Sequence, residues 1–297
     1  MSGRVIVVRP PAKINLSLRV GTVGDNGFHE VRTVLQSISI SDTMTVTARE
    51  GRFVLSVQAP GVTAGRDNLV WRAADELWRA AGRGGEPRGA HVRLEKVIPV
   101  EAGLGGGSAD AAGALVALNG IWELRRSRRD LRRLAAALGS DVPFFLQGGT
   151  AVGVGRGDEI YPVDDVNRMG VVVIKPSFGV VTGEAYAWLD EDRAGDVHNG
   201  TEVGVETDLG WPSGPVLVGN DLEPPVRRRH PGIAEMVEAC KREGALVSAM
   251  TGSGSAVFGL FSEAAASRAA RKLRRPDWLV LLGRTLSRRE ASRKMGL

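Results

Sequence analysis

Short runs of alternating or β-branched apolar residues dominate the first sixty residues of the chain. Runs of this kind predict β-strands, which we place at 4–8, 14–20, 31–40, 43–48 and 53–57. The segment 68–82 differs, because its apolar residues recur at helical spacing and it ends on Gly82, a residue typical of the position after a helix. The N-terminal region is therefore predicted to be a sheet with an amphipathic helix.

The rest of the chain mixes both periods. Strands are predicted at 90–99, 149–163, 171–176 and 278–282, and on both sides of a glycine turn within 245–261. Helices are predicted at 108–120, 127–138, 183–190, 231–245 and 263–274. Residues 191–215 show no period and are interpreted as a loop. This mixture predicts an α/β or α+β protein with two domains, 1–165 and 166–297, divided near the point where 171–176 opens a second series of elements.

Composition narrows the class of protein. Of the 297 residues 43% are apolar, which suffices for the core of one large or two ordinary domains. The single cysteine, Cys240, excludes an intrachain disulfide and fits a reducing compartment. Because the chain has no apolar run of about 18 residues and no signal-peptide pattern, we expect a cytoplasmic protein that does not enter a membrane.

Positive charge is concentrated in two segments. The net charge is +5, with six arginines in 125–133 and ten Lys and Arg against three acidic residues in 263–297. Solvated helix faces account for such runs, and with 5% aromatic residues no stacking side chains alternate with the basic ones. We therefore expect no nucleic-acid partner, and we leave both a monomer and a homodimer open.

A glycine cluster, VEAGLGGGS at 100–108, stands directly before the predicted helix 108–120. A helix N-terminus behind a flexible loop is a favourable anion site, although a plain turn capped by Ser108 or Asp110 has the same pattern. The loop has no lysine for a Walker A motif, and Ser108 stands where a dinucleotide fingerprint needs its third glycine. It lacks the HRD and DFG partners of a protein kinase, and Asp110 breaks a nucleophile elbow. A less common phosphate-binding loop remains.

Three blocks occur in a characteristic order: PAKINLSL at 11–18, IPVEAGLGGGSADAAGAL at 98–115 and MTGSGSAVFGLF at 250–261. In this order they resemble the three motifs of the GHMP kinases. The strings NGFHE, LGSDVPFFLQGG and NDLEP further resemble the members of that family that phosphorylate a CDP-linked sugar alcohol. The resemblance implies a two-lobed α+β fold with the active site in the cleft between the lobes. It implies transfer from ATP, with Mg²⁺ expected, to the 2-hydroxyl of CDP-linked methylerythritol, a step in non-mevalonate isoprenoid synthesis.

The resemblance assigns catalysis to Lys13 and Asp141. By itself Lys13 has the features of a surface lysine, and Asp141 those of an N-cap before a proline-started turn. In the family the matching lysine stabilises the transferring phosphoryl group, and the matching aspartate takes the proton of the attacking hydroxyl. Our hypothesis is that Lys13 and Asp141 face one another across that hydroxyl.

The remaining site residues are also implied by the resemblance. The ATP site comprises the loop and helix start, with Asn68 and Lys96 near adenine: Pro99, Val100, Glu101, Ala102, Gly103, Leu104, Gly105, Gly106, Gly107, Ser108, Ala109, Asn68 and Lys96. Local alternatives are a helix N-cap for Asn68 and a surface lysine for Lys96. The substrate site comprises Asn15, Phe28, His29, Thr182, Tyr186, Gly252 and Ser253.

Within the substrate site each residue has a distinct implied part. Asn15 shares a strand face with Lys13 and would hold a substrate hydroxyl. The rings of Phe28 and Tyr186 would stack on the two sides of cytosine, while His29 would hydrogen-bond the base edge. Phe28 stands where the family usually has tyrosine. No residue is assigned to a metal.

Two other functions are kept as alternatives. A homoserine or mevalonate type of GHMP kinase would share the phosphate loop but has no base to stack on aromatic residues. A basic nucleic-acid-binding protein without catalytic activity would bind with strongly salt-dependent affinity and would not turn over ATP.

Overall fold

The computed structural model describes residues 3–24, 27–195, 205–207 and 216–297. The strands are β1 (Val5–Val8), β2 (Pro11–Val23), β3 (His29–Ser41), β4 (Thr43–Arg52), β5 (Val54–Gln58), β6 (Arg88–Glu95), β7 (Thr150–Val154), β8 (Glu159–Pro162), β9 (Gly170–Pro176), β10 (Val205–Thr207), β11 (Val216–Asn220), β12 (Val247–Met250), β13 (Val257–Phe261) and β14 (Trp278–Arg284). The helices are α1 (Leu69–Ala80), α2 (Gly106–Ile121), α3 (Arg128–Leu138), α4 (Val142–Gln147), α5 (Thr182–Ala194), α6 (Glu223–Arg229), α7 (Gly232–Arg242), α8 (Glu263–Lys272) and α9 (Arg288–Met295).

The N-terminal strands divide between two sheets. One sheet has the order β1-β4-β6-β5, and its apolar face packs against α1 and α2. The other has the order β10-β11-β2-β3-β7-β8 and is built around the long antiparallel pair β2 and β3. The β2–β3 register shifts between Pro11 and Lys13 and between Asn15 and Ser17, beside the residues predicted to be functional. Such irregularities redirect side chains locally.

A third sheet, in the order β12-β13-β9-β14, carries the second half of the chain. Every residue of β9 is buried, which explains its apolar run from Val171 to Ile174. Segments from the second half also return to the first. Strand β11 pairs in parallel with β2, and Met295 of α9 lies in the same core cluster as α1 and α2. The boundary at 165 and 166 remains a prediction.

The mixed α+β character is confirmed, and most predicted elements are present. The predicted loop 191–215 is wrong at its start, where α5 continues to Ala194, and at 205–207, which form β10. Residues 196–204 and 208–215 lie outside the described part of the chain. Helix α2 begins at Gly106 rather than at 108, and its N-cap is Gly105, so neither Ser108 nor Asp110 caps it. Helices α4, α6 and α9 were not predicted. No helix in the described ranges is long and apolar enough to cross a bilayer.

Candidate active site

Lys13 and Asn15 lie on one face of the buried part of β2. The Lys13 ammonium donates to Asn15 Oδ1 (2.6 Å) and lies 3.4 Å from Asp141 Oδ2. The side chain of Lys13 is 4% exposed, whereas that of Asp141 is 36% exposed. The pair therefore joins a fixed, buried positive charge to a carboxylate that a ligand can reach.

Asp141 stands at the N-cap of α4, as its sequence context predicts, but its side chain caps no backbone N–H. The carboxylate faces Lys13 instead. Since β2 holds one charge and the start of α4 holds the other, their separation is set by the packing of two elements. The structure thus brings Lys13 and Asp141 together. The substrate hydroxyl between them stays a prediction.

Asn15 is also held by hydrogen bonds to two threonines. Its amide Nδ2 donates to Thr33 Oγ1 (2.8 Å), and its backbone N–H donates to Thr251 Oγ1 (3.1 Å). The Thr33 hydroxyl in turn donates to the carbonyl of Ser17 (2.7 Å). Because every one of these groups is buried, the amide of Asn15 has a fixed orientation, with Oδ1 toward Lys13.

The glycine cluster forms a tight loop that leads into α2. Gly103 and Gly105 have φ of 72° and 69°, a left-handed conformation that favours glycine. A Cβ on Gly103 would overlap the carbonyl oxygen of Thr251, and one on Gly105 would lie 2.8 Å from the Phe145 ring. The N-cap Gly105 has no side chain to satisfy the first N–H groups of the helix. The loop and the positive end of the helix dipole therefore offer a site for an anion.

The other residues predicted to bind ATP phosphates follow this loop and the first turn of α2 in order: Pro99, Val100, Glu101, Ala102, Leu104, Gly106, Gly107, Ser108 and Ala109. Glu101 has φ of 50°, which is unusual for a residue with a side chain. Burial lowers the pKa of the neighbouring Lys175, and the negative charge of Glu101 opposes that shift. The strained residue thus lies beside a cation of β9.

The turn after β12 packs directly on the glycine loop. Backbone N–H groups of Ser255 and Ala256 donate to the carbonyls of Glu101 (3.3 Å) and Ala102 (3.2 Å). A Cβ on Gly252 would lie 3.3 Å from Lys13 Nζ. Two predicted substrate residues also meet here, because Ser253 Oγ lies 3.0 Å from Thr182 Oγ1. The third sequence block therefore lies against the first two.

Lys96 is not a surface lysine, so that interpretation is wrong. Its side chain is 7% exposed, and its ammonium donates to Asp42 Oδ2 (2.5 Å) and Asp110 Oδ2 (2.6 Å). Asp42 Oδ1 accepts from the backbone N–H of Val97 (2.5 Å) and of Ile98 (2.8 Å). A Cβ on Gly106 would lie 3.2 Å from Lys96 Nζ, which puts this triad against the start of α2.

The triad has one positive charge for two buried carboxyls. Burial raises the pKa of Asp110 to about 8, and the charge of Asp42 adds to the rise against the opposing effect of Lys96. Burial acts to lower the pKa of Lys96, but the two carboxylates raise it above its ordinary value. The second oxygen of Asp110, Oδ1, is buried without a hydrogen-bond partner.

Asn68 is the N-cap of α1, which confirms the local alternative given for this residue. Its Oδ1 accepts from the N–H of Val70 (2.9 Å), and its Nδ2 donates to the carbonyl of Thr63 (2.7 Å). A contact between Asn68 and adenine stays a prediction.

Of the residues predicted to bind a base, Phe28 and His29 lie where β3 begins and Tyr186 lies on α5. The imidazole of His29 stacks on the ring of Tyr186, with ring centroids 5.2 Å apart and planes inclined by 28°. The ring of Phe28 lies under the guanidinium of Arg156, at 5.1 Å. An open cavity of about 460 Å³ adjoins these side chains and is lined by Phe28, His29, Glu30, Arg156, Asp158 and Glu159. Its volume is in the range of small-molecule sites.

Tyr186 connects this region to the catalytic pair. Burial raises the pKa of Tyr186 to about 12, and the negative charge of Asp141 contributes to the rise. The phenol therefore stays protonated at neutral pH.

Three residues of the site were missed at the sequence level. Thr251 immediately precedes the predicted Gly252, so the third block marked its neighbourhood. Asp42 and Asp110 gave no signal, because an isolated acidic residue between strands or early in a helix resembles any solvated carboxylate. Only the burial of both beside Lys96 distinguishes them.

Two protein-family models together match more than half of the chain. Residues 68–149 match the GHMP kinases N terminal domain, and residues 198–276 match the GHMP kinases C terminal domain. The chain is 41% identical over 293 residues to a 4-diphosphocytidyl-2-C-methyl-D-erythritol kinase of Pelotomaculum thermopropionicum, covering 96% of this chain and 99% of that one. It is 40% identical to the enzyme of the same name from Rhodococcus jostii, covering 89% and 86% of the two chains.

Solved structures give the same relationship. A crystal structure of 4-(cytidine 5'-diphospho)-2C-methyl-D-erythritol kinase superposes with a TM-score of 0.77 at 35% identity, covering 94% of this chain and 99% of that one. A homoserine kinase from Cytophaga hutchinsonii, at 17% identity and a TM-score of 0.66, covers 95% of each chain and shares the fold. The protein therefore belongs to the 4-diphosphocytidyl-2-C-methyl-D-erythritol kinases of the GHMP kinase superfamily.

Proposed function

We propose that this protein is a cytoplasmic kinase that transfers the γ-phosphoryl group of ATP to the 2-hydroxyl of 4-diphosphocytidyl-2-C-methyl-D-erythritol, a step toward isoprenoid precursors. The observation that carries the proposal is the pair of Lys13 and Asp141, 3.4 Å apart, beside a glycine loop at a helix N-terminus. A buried cation, a reachable carboxylate and an anion site are the groups that phosphoryl transfer to an alcohol requires.

Asp141 acts as the general base. Its carboxylate takes the proton of the substrate hydroxyl, the hydroxyl oxygen forms a bond to the γ-phosphorus, and the bond from phosphorus to the β–γ bridging oxygen breaks to release ADP. Lys13 stabilises the negative charge on the transferring group. Asn15, fixed by its hydrogen bonds, orients the acceptor.

The phosphates of ATP lie on residues 99–109. Backbone N–H groups of the loop and the positive end of the α2 dipole stabilise their charge. The turn at Gly252 and Ser253 closes the site from the other lobe, and Thr182 reaches it through Ser253.

Mg²⁺ fits the first turn of α2, where the half-buried Ser108 lies. Its hydroxyl is a hard oxygen donor of the kind that Mg²⁺ prefers. Mg²⁺ at such sites commonly takes most of its ligands from substrate phosphates and water. When bound, the ion would neutralise phosphate charge.

The test is ADP release by the purified protein with Mg-ATP and, separately, the CDP-linked substrate, mevalonate and homoserine. Turnover with the CDP-linked compound alone is the expected result, because Phe28, His29 and Tyr186 serve no purpose for an acceptor without a base. Turnover with mevalonate or homoserine instead would retain the kinase and reject the acceptor. A folded protein that turns over none of them would refute the proposal.

A further inference from the structure

Helix α5 presents one stripe of side chains to the corner where β2 ends and β3 begins. Tyr186, Asp190 and Arg193 are spaced i, i+4 and i+7, so they share a face of the helix. Tyr186 stacks on the ring of His29. Asp190 and Arg193 reach the same corner with charged groups, which the catalytic scheme does not use.

His29 is held between two acceptors. Its Nε2 lies 3.1 Å from Asp190 Oδ2, and its Nδ1 lies 3.1 Å from the carbonyl oxygen of Gly21. A neutral imidazole has one N–H and donates to only one of these oxygens, whereas the protonated ring donates to both. The His29 side chain is 10% exposed, so its edge and one of its faces are committed to protein contacts.

The same corner is fastened by Arg193. Its guanidinium donates to the carbonyl of Val20 (2.6 Å) and to that of Gly21 (3.1 Å), the oxygen that also faces His29. Asp190, Arg193 and His29 therefore form one network that ties α5 to the end of β2 and the start of β3. Such a network fixes side chains that would otherwise sample several rotamers.

This network lies directly behind the cavity at Phe28. His29 lines that cavity and touches Asp190 on its other side, whereas Asp190 does not line it. Any change at Asp190 therefore reaches a ligand through the orientation of the Phe28–His29 turn.

We propose that Asp190 is a positioning residue for the base of the phosphoryl acceptor: it holds His29, and with it the turn carrying Phe28, in the conformation that binds the nucleotide moiety. The inference rests on the proposed function for the identity of that ligand. It adds a residue of α5, in the second half of the chain, to a base site formed at the start of β3.

The test compares Asp190→Asn with the wild type in steady-state kinetics. Losing the charge on one partner of His29 is expected to raise KM for the CDP-linked substrate about tenfold, while kcat and KM for ATP stay within about twofold. The matched control is Asp192→Asn, the same change two residues along α5, where the carboxylate pairs with Arg228 and not with His29. It is expected to behave as the wild type.

A double-mutant cycle separates positioning from a general structural effect. If Asp190 acts through His29, the increases in KM caused by Asp190→Asn and His29→Gln will not multiply in the double variant. An unchanged KM for the acceptor, a parallel loss of kcat and ATP affinity, or independent effects in the cycle would each overturn the inference.

Failure of the proposed function gives a different pattern. It appears as a wild-type protein without turnover of the CDP-linked compound. In that case calorimetric titration with CDP itself tests the inference, which is upheld if the wild type binds CDP about tenfold more tightly than Asp190→Asn. It is overturned if the two bind CDP equally or if neither binds it.

Discussion

At the scale of single residues, the catalytic pair depends on unequal burial. Lys13 is almost inaccessible, while a third of Asp141 is exposed. A buried ammonium is costly unless it is paired, and Asp141 supplies the opposite charge 3.4 Å away. The same arrangement leaves one oxygen of the carboxylate able to approach a ligand.

We expect Asp141→Asn to lower kcat by about 10²–10⁴-fold, the usual contribution of a positioned general base. The amide is nearly isosteric with the carboxylate but cannot take the proton. ADP release measures the effect. Asp277→Asn, at an exposed position before β14, is the control and should keep full activity. Near-normal turnover of a folded Asp141→Asn protein would remove Asp141 from the mechanism.

Asp110 predicts a pH dependence of stability. Its pKa rises from an ordinary 3.8 to about 8 in the fold, so the folded state favours the protonated carboxyl. The free energy of unfolding that this preference contributes is fully present below about pH 4. It falls as the pH rises and is lost once the pH has passed through about 8. Relative to Asp110→Asn, the wild type should lose free energy of unfolding between pH 5 and 8 and then level off. Urea denaturation at several pH values measures this difference, and a constant difference would contradict the prediction.

At the scale of elements, the glycine loop is shaped by the turn that packs on it. Gly103 requires a left-handed φ and also lies against the Thr251 carbonyl, so two independent reasons exclude a side chain there. Gly107, four residues later, has neither constraint, because its Cβ would make only an ordinary contact of 3.6 Å with Leu69.

Gly103→Ala is expected to reduce the free energy of unfolding by about 2 kcal/mol or more, through backbone strain and overlap with Thr251. Gly107→Ala should leave it unchanged or raise it, because alanine favours the helix that Gly107 belongs to. Thermal denaturation of the two variants provides the comparison. Equal midpoints would mean that the loop is not fixed by the turn.

At the scale of the whole molecule, residues far apart in sequence meet at Thr251. Its hydroxyl accepts from the N–H of Asn15 and lies 3.3 Å from the carbonyl oxygen of Gly103. One side chain thus connects β2, the glycine loop and the turn after β12. The three sequence blocks are therefore parts of one hydrogen-bonded site.

Thr251→Val keeps the shape of the side chain and removes its hydroxyl. Because the N–H of Asn15 is then buried without a partner, we expect a loss of about 1–3 kcal/mol in the free energy of unfolding, with a lower kcat from the displaced Asn15. Thr45→Val, at a half-buried position of β4, should change stability by less than about 0.5 kcal/mol. Urea denaturation separates the two. Equal losses would argue against a special role for Thr251.

The sequence alone determined the local structure and the chemistry of the loop. Alternating and helical periods located most elements because burial of one face imposes those periods. Helix α9 was not predicted because its sequence, RREASRKM, has few apolar residues. In the structure Ala291 and Met295 nevertheless bury one side of it. The extension of α5 to Ala194 was not predicted for a similar reason, because its last turn consists mainly of charged residues.

Only the tertiary structure decided which charges meet. Lys13 and Asp141 are separated by more than a hundred residues, and no local pattern sets their distance of 3.4 Å. The burial of Lys96 between Asp42 and Asp110, and the contact of Asp190 with His29, likewise arise from packing between sheets and helices. Local periodicity records which face of an element is buried, whereas electrostatic partners depend on which elements pack together, and that is decided by the fold as a whole.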